Sequence, residues 1–202
     1  MLLNRDVTAR EQIDGPADRV SFEDYQAAFL AIAWTNRNLG GTAVMLGELN
    51  FMVQQHRLSS ISLLDVGCGG GDIDEAILRW SRGKNIGCTI LGIDVHPHAV
   101  RLARDRLGSQ AEINVRHNDF FEAKFTEGSF DIVIASLLLH HLSVDQLSYF
   151  LWKAYRIARV GVILTDLRRS LPAYWFCRTG LRWMAPPSSV FTHDSAVSFR
   201  RS

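Results

Sequence analysis

The sequence predicts an α/β fold, a doubly wound and mostly parallel sheet preceded by a helical cap. Three observations carry this expectation. Apolar runs suited to strands alternate with helical patterns from about residue 60 to residue 166. The run at 130–136 is apolar almost throughout, as a central strand covered on both faces should be. Finally, Leu63-Leu64-Asp65-Val66-Gly67-Cys68-Gly69-Gly70-Gly71-Asp72-Ile73 passes from an apolar run through an acid and alternating glycines into a helical pattern. A strand, a tight loop and a helix start in that order make the usual ligand position of such sheets.

Residues 1–20 are polar and mixed in charge, and read as a loose tail with a turn at Gly15-Pro16. Ser21-x-x-Asp24 has the form of a capping box, and Phe22, Tyr25, Phe29, Ile32 and Ala33 follow at helical spacing. Gly40-Gly41 stops that helix. A second one carries Met45, Leu49, Met52, Val53 and His56 on one face. Both precede the first strand, so they are expected to cap the ligand end of the sheet, outside the βα repeat. Strand 62–67 leads to helix 72–81, with Ile73, Ile77 and Trp80 inward, and then to strand 89–94. Helix 97–107 has Pro97 in its first turn and buries Val100, Ala103 and Leu107. A short strand at 112–116 and the central strand 130–136 follow. Ser143-x-x-Gln146 caps a helix with Leu147, Phe150, Leu151 and Ala154 as its stripe, and strand 160–166 closes the alternation. Beyond it lie Tyr174, Trp175, Phe176, Trp183, Met184 and Phe191, broken at Pro186-Pro187, and Val197-Ser198-Phe199-Arg200-Arg201 is at most a strand fragment. The organisation expected is one domain: a tail and helical cap at 1–60, then a core at 61–202 with an aromatic C-terminal segment.

Composition narrows the function. The 202 residues are enough for a sizeable core. A net charge of +1 gives no field to draw nucleic acid or membranes, and the small pairs Arg168-Arg169 and Arg200-Arg201 read as solvated surface. Cys68, Cys88 and Cys177 have no paired spacing, an odd count that reads as reduced thiols in a cytoplasm. No apolar run has the length of a membrane-spanning helix, and the N-terminus has no secretory pattern.

The glycine loop is followed at βαβ spacing by Ile90-Leu91-Gly92-Ile93-Asp94, so a nucleotide-like cofactor is expected. Asp94 could meet ribose hydroxyls in either a dinucleotide or another adenosine cofactor. The acids beside the glycines discriminate better. Asp65 and Asp72 would repel a pyrophosphate but suit the ammonium and sulfonium of S-adenosylmethionine (SAM), which is therefore preferred to NAD.

On these residues the chain resembles the class I SAM-dependent methyltransferases over about residues 60–166. Asp65-x-Gly67-x-Gly69-x-Gly71 is similar to their first motif, and Asp94 matches the acid ending their second strand. His117-Asn118-Asp119-Phe120 resembles the loop after the third strand, where an acid meets the adenine amine and its neighbour packs on the ring. Phe130-Asp131-Ile132-Val133-Ile134-Ala135-Ser136, running into Leu138-Leu139-His140-His141-Leu142, resembles the fourth strand and its loop. The His-His-Leu ending is similar to small-molecule methyltransferases, including ubiquinone and menaquinone methylases. The flanks Asn36-Arg37-x-Leu39-Gly40-Gly41 and Asp166-Leu167-Arg168-Arg169-Ser170 resemble a bacterial subgroup associated with polyketide-type phenolic products. The resemblance implies a cofactor set of Asp65, Gly67, Cys68, Gly69, Gly71, Asp94, Val95, Asp119, Phe120 and Ser136. It also implies two further edge strands, for which the chain after 166 has no clear pattern. Either a partner completes the edge, as a homodimer through the aromatic segment would, or the protein binds SAM as an impaired partner or regulator.

Several residues keep two readings. Asp94 is a ribose ligand or an exposed acid at a strand end, and Asp119 an adenine ligand or a turn residue. Phe120 stacks on adenine or packs in the core. His140 or His141 could deprotonate a hydroxyl acceptor, His140 being slightly preferred, or merely cap the next helix. Neither this pair nor His96-x-His98 has the spacing of a known metal site, so no metal is expected. The aromatic segment is a substrate lid, or else core or interface. The overall expectation is a cytoplasmic methyltransferase acting on a small molecule, with a phenolic or polyketide-like hydroxyl as acceptor.

Overall fold

The computed structural model describes residues 9, 11–16, 19–168 and 171–201. Arg169-Ser170 of the second flanking motif, and the side chains of Tyr174 and Cys177, lie outside the described residues. Five strands make one sheet in the order β3-β2-β1-β4-β5, with every pair parallel. They are β1 (Ser60–Val66), β2 (Gly87–Asp94), β3 (Ile113–His117), β4 (Phe130–Ser136) and β5 (Ala158–Thr165). The chain moves outward from β1 to β3, then crosses back to β4, so the strand order reverses between β1 and β4. That reversal opens a crevice at the carboxyl ends of the central strands.

Before the sheet come α1 (Phe22–Asn38) and α2 (Gly41–Gln55); α3 (Asp72–Gly83), α4 (Pro97–Leu107) and α5 (Val144–Ile157) are interleaved with the strands. Ser21 caps α1 by accepting the Asp24 amide, and its hydroxyl donates to the Asp24 carboxylate at 2.8 Å. Ser143 and Gln146 form the reciprocal capping box of α5. On one face of the sheet Ile73, Ile77 and Leu78 of α3 pack on Leu63, Ile90, Ile132 and Ile134. On the other, Phe150, Ala154 and Ile157 of α5 meet Leu64, Val66, Val133 and Ala135. Alternate residues of β1 thus feed opposite cores, as the twofold period of a strand requires.

Four expectations change. The first concerns α2, which lies on the sheet instead of capping its end. Met45, Leu49 and Val53 belong to the same core cluster as α3, and Gly161 of β5 leaves room for Met52, whose Cε sits 2.3 Å from where a Cβ would be. His56 falls just past the helix and is exposed. Second, residues 11–14 are not loose: the amides of Gln12 and Ile13 both donate to the Asp194 carboxylate at 2.9 Å, and Ser198 Oγ donates to Glu11 at 2.8 Å. Third, the region after β5 is helical, as α6 (Leu171–Thr179), α7 (Leu181–Met184) and α8 (Ser189–Arg201). The supposed strand fragment at 197–201 is the end of α8, which buries Val190, Phe191 and Val197 and packs on α1. Fourth, Arg201 is not a solvated surface charge; it pairs with Asp14 at 3.0 Å.

Among the described residues no strand follows β5, and Trp175, Phe176, Trp183 and Met184 stay exposed. No helix among them is long and apolar enough to cross a membrane. Cys68 and Cys88 are free, buried thiols. Because Leu49 is fully buried in the core beneath the sheet, Leu49→Ala should cost about 2–5 kcal/mol of stability. Urea unfolding checks this, and a helix merely capping the strand ends would lose much less.

Candidate functional site

The crevice at the strand ends is a cavity of about 520 Å³. Of the cofactor set expected from sequence, Asp65, Gly67, Cys68, Gly69, Asp94, Val95, Asp119, Phe120 and Ser136 line it, while Gly71 does not. His141 stands on its wall and His140 does not. Residues that sequence reasoning did not assign to the site also line it, namely Tyr25, Phe29, Asn36 and Leu138.

Backbone geometry after β1 builds the floor. Gly67, Gly69 and Gly71 all have positive φ, at 74°, 53° and 72°. At Gly69 a side chain is excluded by the protein itself, because an added Cβ would lie 2.5 Å from the Phe29 ring of α1. The glycine therefore does more than let a ligand approach the backbone. It seats α1 on the loop. The amides of Gly67 and Cys68 donate to the Ile93 carbonyl at 2.8 and 3.1 Å, tying the loop to β2. Asp94 completes the tie: Oδ2 accepts the Gly69 amide at 3.0 Å and Oδ1 the His96 amide at 2.8 Å. A carboxylate has acceptor capacity beyond two amides, so Asp94 can still receive hydroxyl donors from the cavity.

The loop after β3 is held independently. Asp119 Oδ1 accepts the Phe121 amide at 2.7 Å. Lys153 of α5 donates to the carbonyls of Phe120, Phe121 and Ala123. Phe120 is 3% exposed and packs 4.9 Å from the Phe150 ring centroid, so it is a core residue that also borders the cavity. Leu137, on the turn after β4, holds a φ of 56°, rare for a bulky residue, and its amide is anchored on the Thr165 carbonyl at 2.8 Å.

Charge is the clearest chemical property of the cavity. Asp14, Asp65, Asp72, Asp94 and Asp119 line it, and no lysine or arginine is among its described lining residues. Asn36 supports Asp72 with a 2.9 Å hydrogen bond from its amide nitrogen. Burial pushes Asp65, Asp72 and Asp94 above the usual carboxylate range; amide donors and nearby cations only partly offset this at Asp72 and Asp94. Beneath the loop, Asp74 of α3 is fully buried beside Asp65, and burial raises it to about 7.

The two histidines differ sharply. His140 is enclosed, with Nδ1 2.6 Å from Asp166 Oδ1 and Nε2 3.4 Å from Glu11 Oε1. Burial alone would lower its pKa, but these carboxylates outweigh it and raise the ring to about 9. His141 Nδ1 is 2.8 Å from Asp14 Oδ2 and its Nε2 is 4.0 Å from Glu11 Oε2. Glu11 and Asp14 come from a segment with no motif signal, so no spacing rule could have found them.

The buried acids make stability depend on pH with a definite sign. Asp65 and Asp74 hold protons in the folded state at pH values where the unfolded chain has lost them, so the stability these two contribute is fully present below about pH 4 and, for Asp74, is lost as pH rises toward about 7. Asp74→Asn should flatten that decline between pH 4 and 7, as followed by chemical unfolding at each pH.

Residues 63–161 match a family model described as a methyltransferase domain. An uncharacterised methyltransferase of Synechocystis sp. is 31% identical over 64% of this chain and 53% of its own length. A ubiquinone biosynthesis O-methyltransferase of Pseudomonas paraeruginosa is 27% identical over 77% of this chain and 65% of its own length. The chain thus spans less than two thirds of either relative. Among solved structures, the plantazolicin methyltransferase BpumL in complex with SAH superposes with a TM-score of 0.57 at 14% identity, over 90% of this chain and 70% of that one. A putative methyltransferase of Methanococcus maripaludis gives 0.56 at 14% identity, over 81% of this chain and 75% of that one. Fold, loop geometry and family match agree: residues 63–161 form a methyltransferase domain, with the fold of the SAM-dependent methyltransferases that the chain is similar to.

Proposed function

We propose that the protein transfers a methyl group from SAM to a hydroxyl of a small, largely apolar acceptor. The observation that carries this is the cleft's charge, five carboxylates with no lysine or arginine among the described lining residues. Such a lining favours a cofactor with ammonium and sulfonium groups and disfavours a dinucleotide pyrophosphate, which takes amide donors and basic side chains. A second cavity of about 450 Å³ adjoins it, sharing Ile13, Ile32, Asn36, Ser136 and Leu137 with the cofactor cleft. Its other walls include Ala28, Leu39, Val44, Phe176, Leu181 and Phe191. An apolar chamber opening on the cleft is where an aromatic or polyketide-like acceptor fits, and the O-methyltransferase relatives support oxygen as the atom methylated.

When bound, SAM supplies the electrophilic methyl, which an acceptor oxygen takes by in-line attack as S-adenosylhomocysteine is released. The chain's contribution is positioning and exclusion of water. Asp94 holds the ribose end, Asp119 the adenine end, and the loop at 67–71 the methionine end. Leu137 stands between the two cavities and sets the approach of the acceptor. His141 lines the cofactor cleft and His140 the adjoining chamber, so both rings border the space an acceptor would take. Both are engaged with Glu11, Asp14 and Asp166, and these carboxylates keep His140 protonated at neutral pH, so a base role needs a ring first freed of its proton. The chemistry therefore favours acceptors whose hydroxyl ionises readily, such as phenols.

Asp94→Ala should weaken SAM binding by about 1–3 kcal/mol, since it leaves two loop amides and the ribose hydroxyls without their acceptor. Titration calorimetry on the folded variant measures this. Unchanged affinity would remove Asp94 from the site, and SAM binding by the parent with no turnover against a panel of phenols would count against catalysis of this type.

A further inference from the structure

Beside the cofactor cleft the fold assembles three groups that no motif relates. Glu11, His140 and His141 bring potential ligand atoms within 4.8 Å of one another. His140 Nε2 is buried and makes no hydrogen bond. Its side chain is 2% exposed, and that nitrogen stands 3.4 Å from Glu11 Oε1. His141 Nε2 lies 4.0 Å from Glu11 Oε2. The other nitrogen of each ring is held by its own carboxylate, Asp166 at 2.6 Å for His140 and Asp14 at 2.8 Å for His141.

A carboxylate on Nδ1 fixes the ring orientation and keeps a proton there, so Nε2 is the atom that a cation would coordinate, displacing its proton. One histidine between two acids is explained by ion pairing. Two adjacent rings, each backed by a separate carboxylate and both near a shared third one, are better explained by a cation between them.

We propose that Glu11, His140 and His141 form a binding site for a divalent transition metal of the zinc type, held by the Glu11 carboxylate and the two Nε2 atoms. Nitrogen and carboxylate donors without thiolate suit zinc in a three-residue site, with water in the fourth position. Tetrahedral zinc with bonds of about 2.0–2.2 Å keeps its ligand atoms roughly 3.3–3.6 Å apart. The Glu11–His140 pair already has that spacing, and the remaining pairs need to close by no more than roughly 1.2 Å. The cation would balance Glu11, Asp14 and Asp166; Arg201 on the same side is already paired with Asp14. The metal would pin residues 11–14 to the turn after β4. Ile13, Asp14 and His141 line the cofactor cleft, so the metal would shape that wall without touching the cofactor.

The test uses the full chain, stripped with a chelator and titrated with Co²⁺ and then Zn²⁺, without SAM or acceptor. Expected are visible absorption bands of four-coordinate cobalt, their loss on adding one equivalent of zinc per chain, and a higher melting temperature with zinc. Glu11→Gln and His141→Ala should each abolish the cobalt bands. His141 is partly exposed, so its variant should keep the parent circular dichroism. Asp166→Asn, which leaves the three ligands in place and weakens the support of His140, should weaken zinc roughly 10–100-fold. A folded parent that binds neither metal at micromolar concentration overturns the proposal, as does binding that survives the loss of His141.

Discussion

The functional end of this molecule depends on one carboxylate that joins two strand ends. Parallel pairing sets Val66 of β1 beside Ile93 of β2. The chain leaving β1 has amides that the sheet no longer satisfies, and a buried amide without an acceptor is costly. The Ile93 carbonyl takes the first two of them and Asp94 takes the Gly69 amide. By also accepting from His96, Asp94 orients the start of α4. The loop conformation, the seating of Phe29 and the floor of the cleft follow from this arrangement. None of these contacts needs a ligand, so the site is preorganised.

That preorganisation is bought with electrostatic strain. Asp65, Asp72, Asp74 and Asp94 crowd around one loop, and burial raises the pKa of each. Carboxylates held this close favour either protons or a cation between them. An ionisable cluster kept in a cleft at a cost to the empty protein is a common mark of a binding site.

Much of the architecture was legible because the relevant signals are local. Strand and helix periods separate cleanly from Leu63 to Ile157, Ser143 and Gln146 carry their cap within four residues, and the glycines announce the loop. Most of the residues that line the cleft were legible for the same reason, since they stand at or just after the ends of strands. Failures came where contacts are distant in sequence. The Val197–Arg201 stretch is too short for its apolar spacing to tell helix from strand; packing of α8, Phe199 included, against α1 and the 3-10 turn at 139–141 decides the matter. Glu11 and Asp14 gain their significance only from partners more than a hundred residues away. The placement of α2 was missed because a buried stripe shows that a helix packs, not which surface it packs against.

The acid-rich cleft also bears on turnover. Methyl transfer converts the sulfonium of the cofactor into an uncharged thioether. A pocket lined by ionised Asp72 and Asp94 would hold the positively charged form more strongly than the neutral one. Under the proposed chemistry the reaction erases one of the charges that the pocket recognises, so the spent cofactor loses part of its hold as soon as it forms. The same carboxylates would then set both the capture of fresh cofactor and the escape of the product, tilting the exchange toward another cycle.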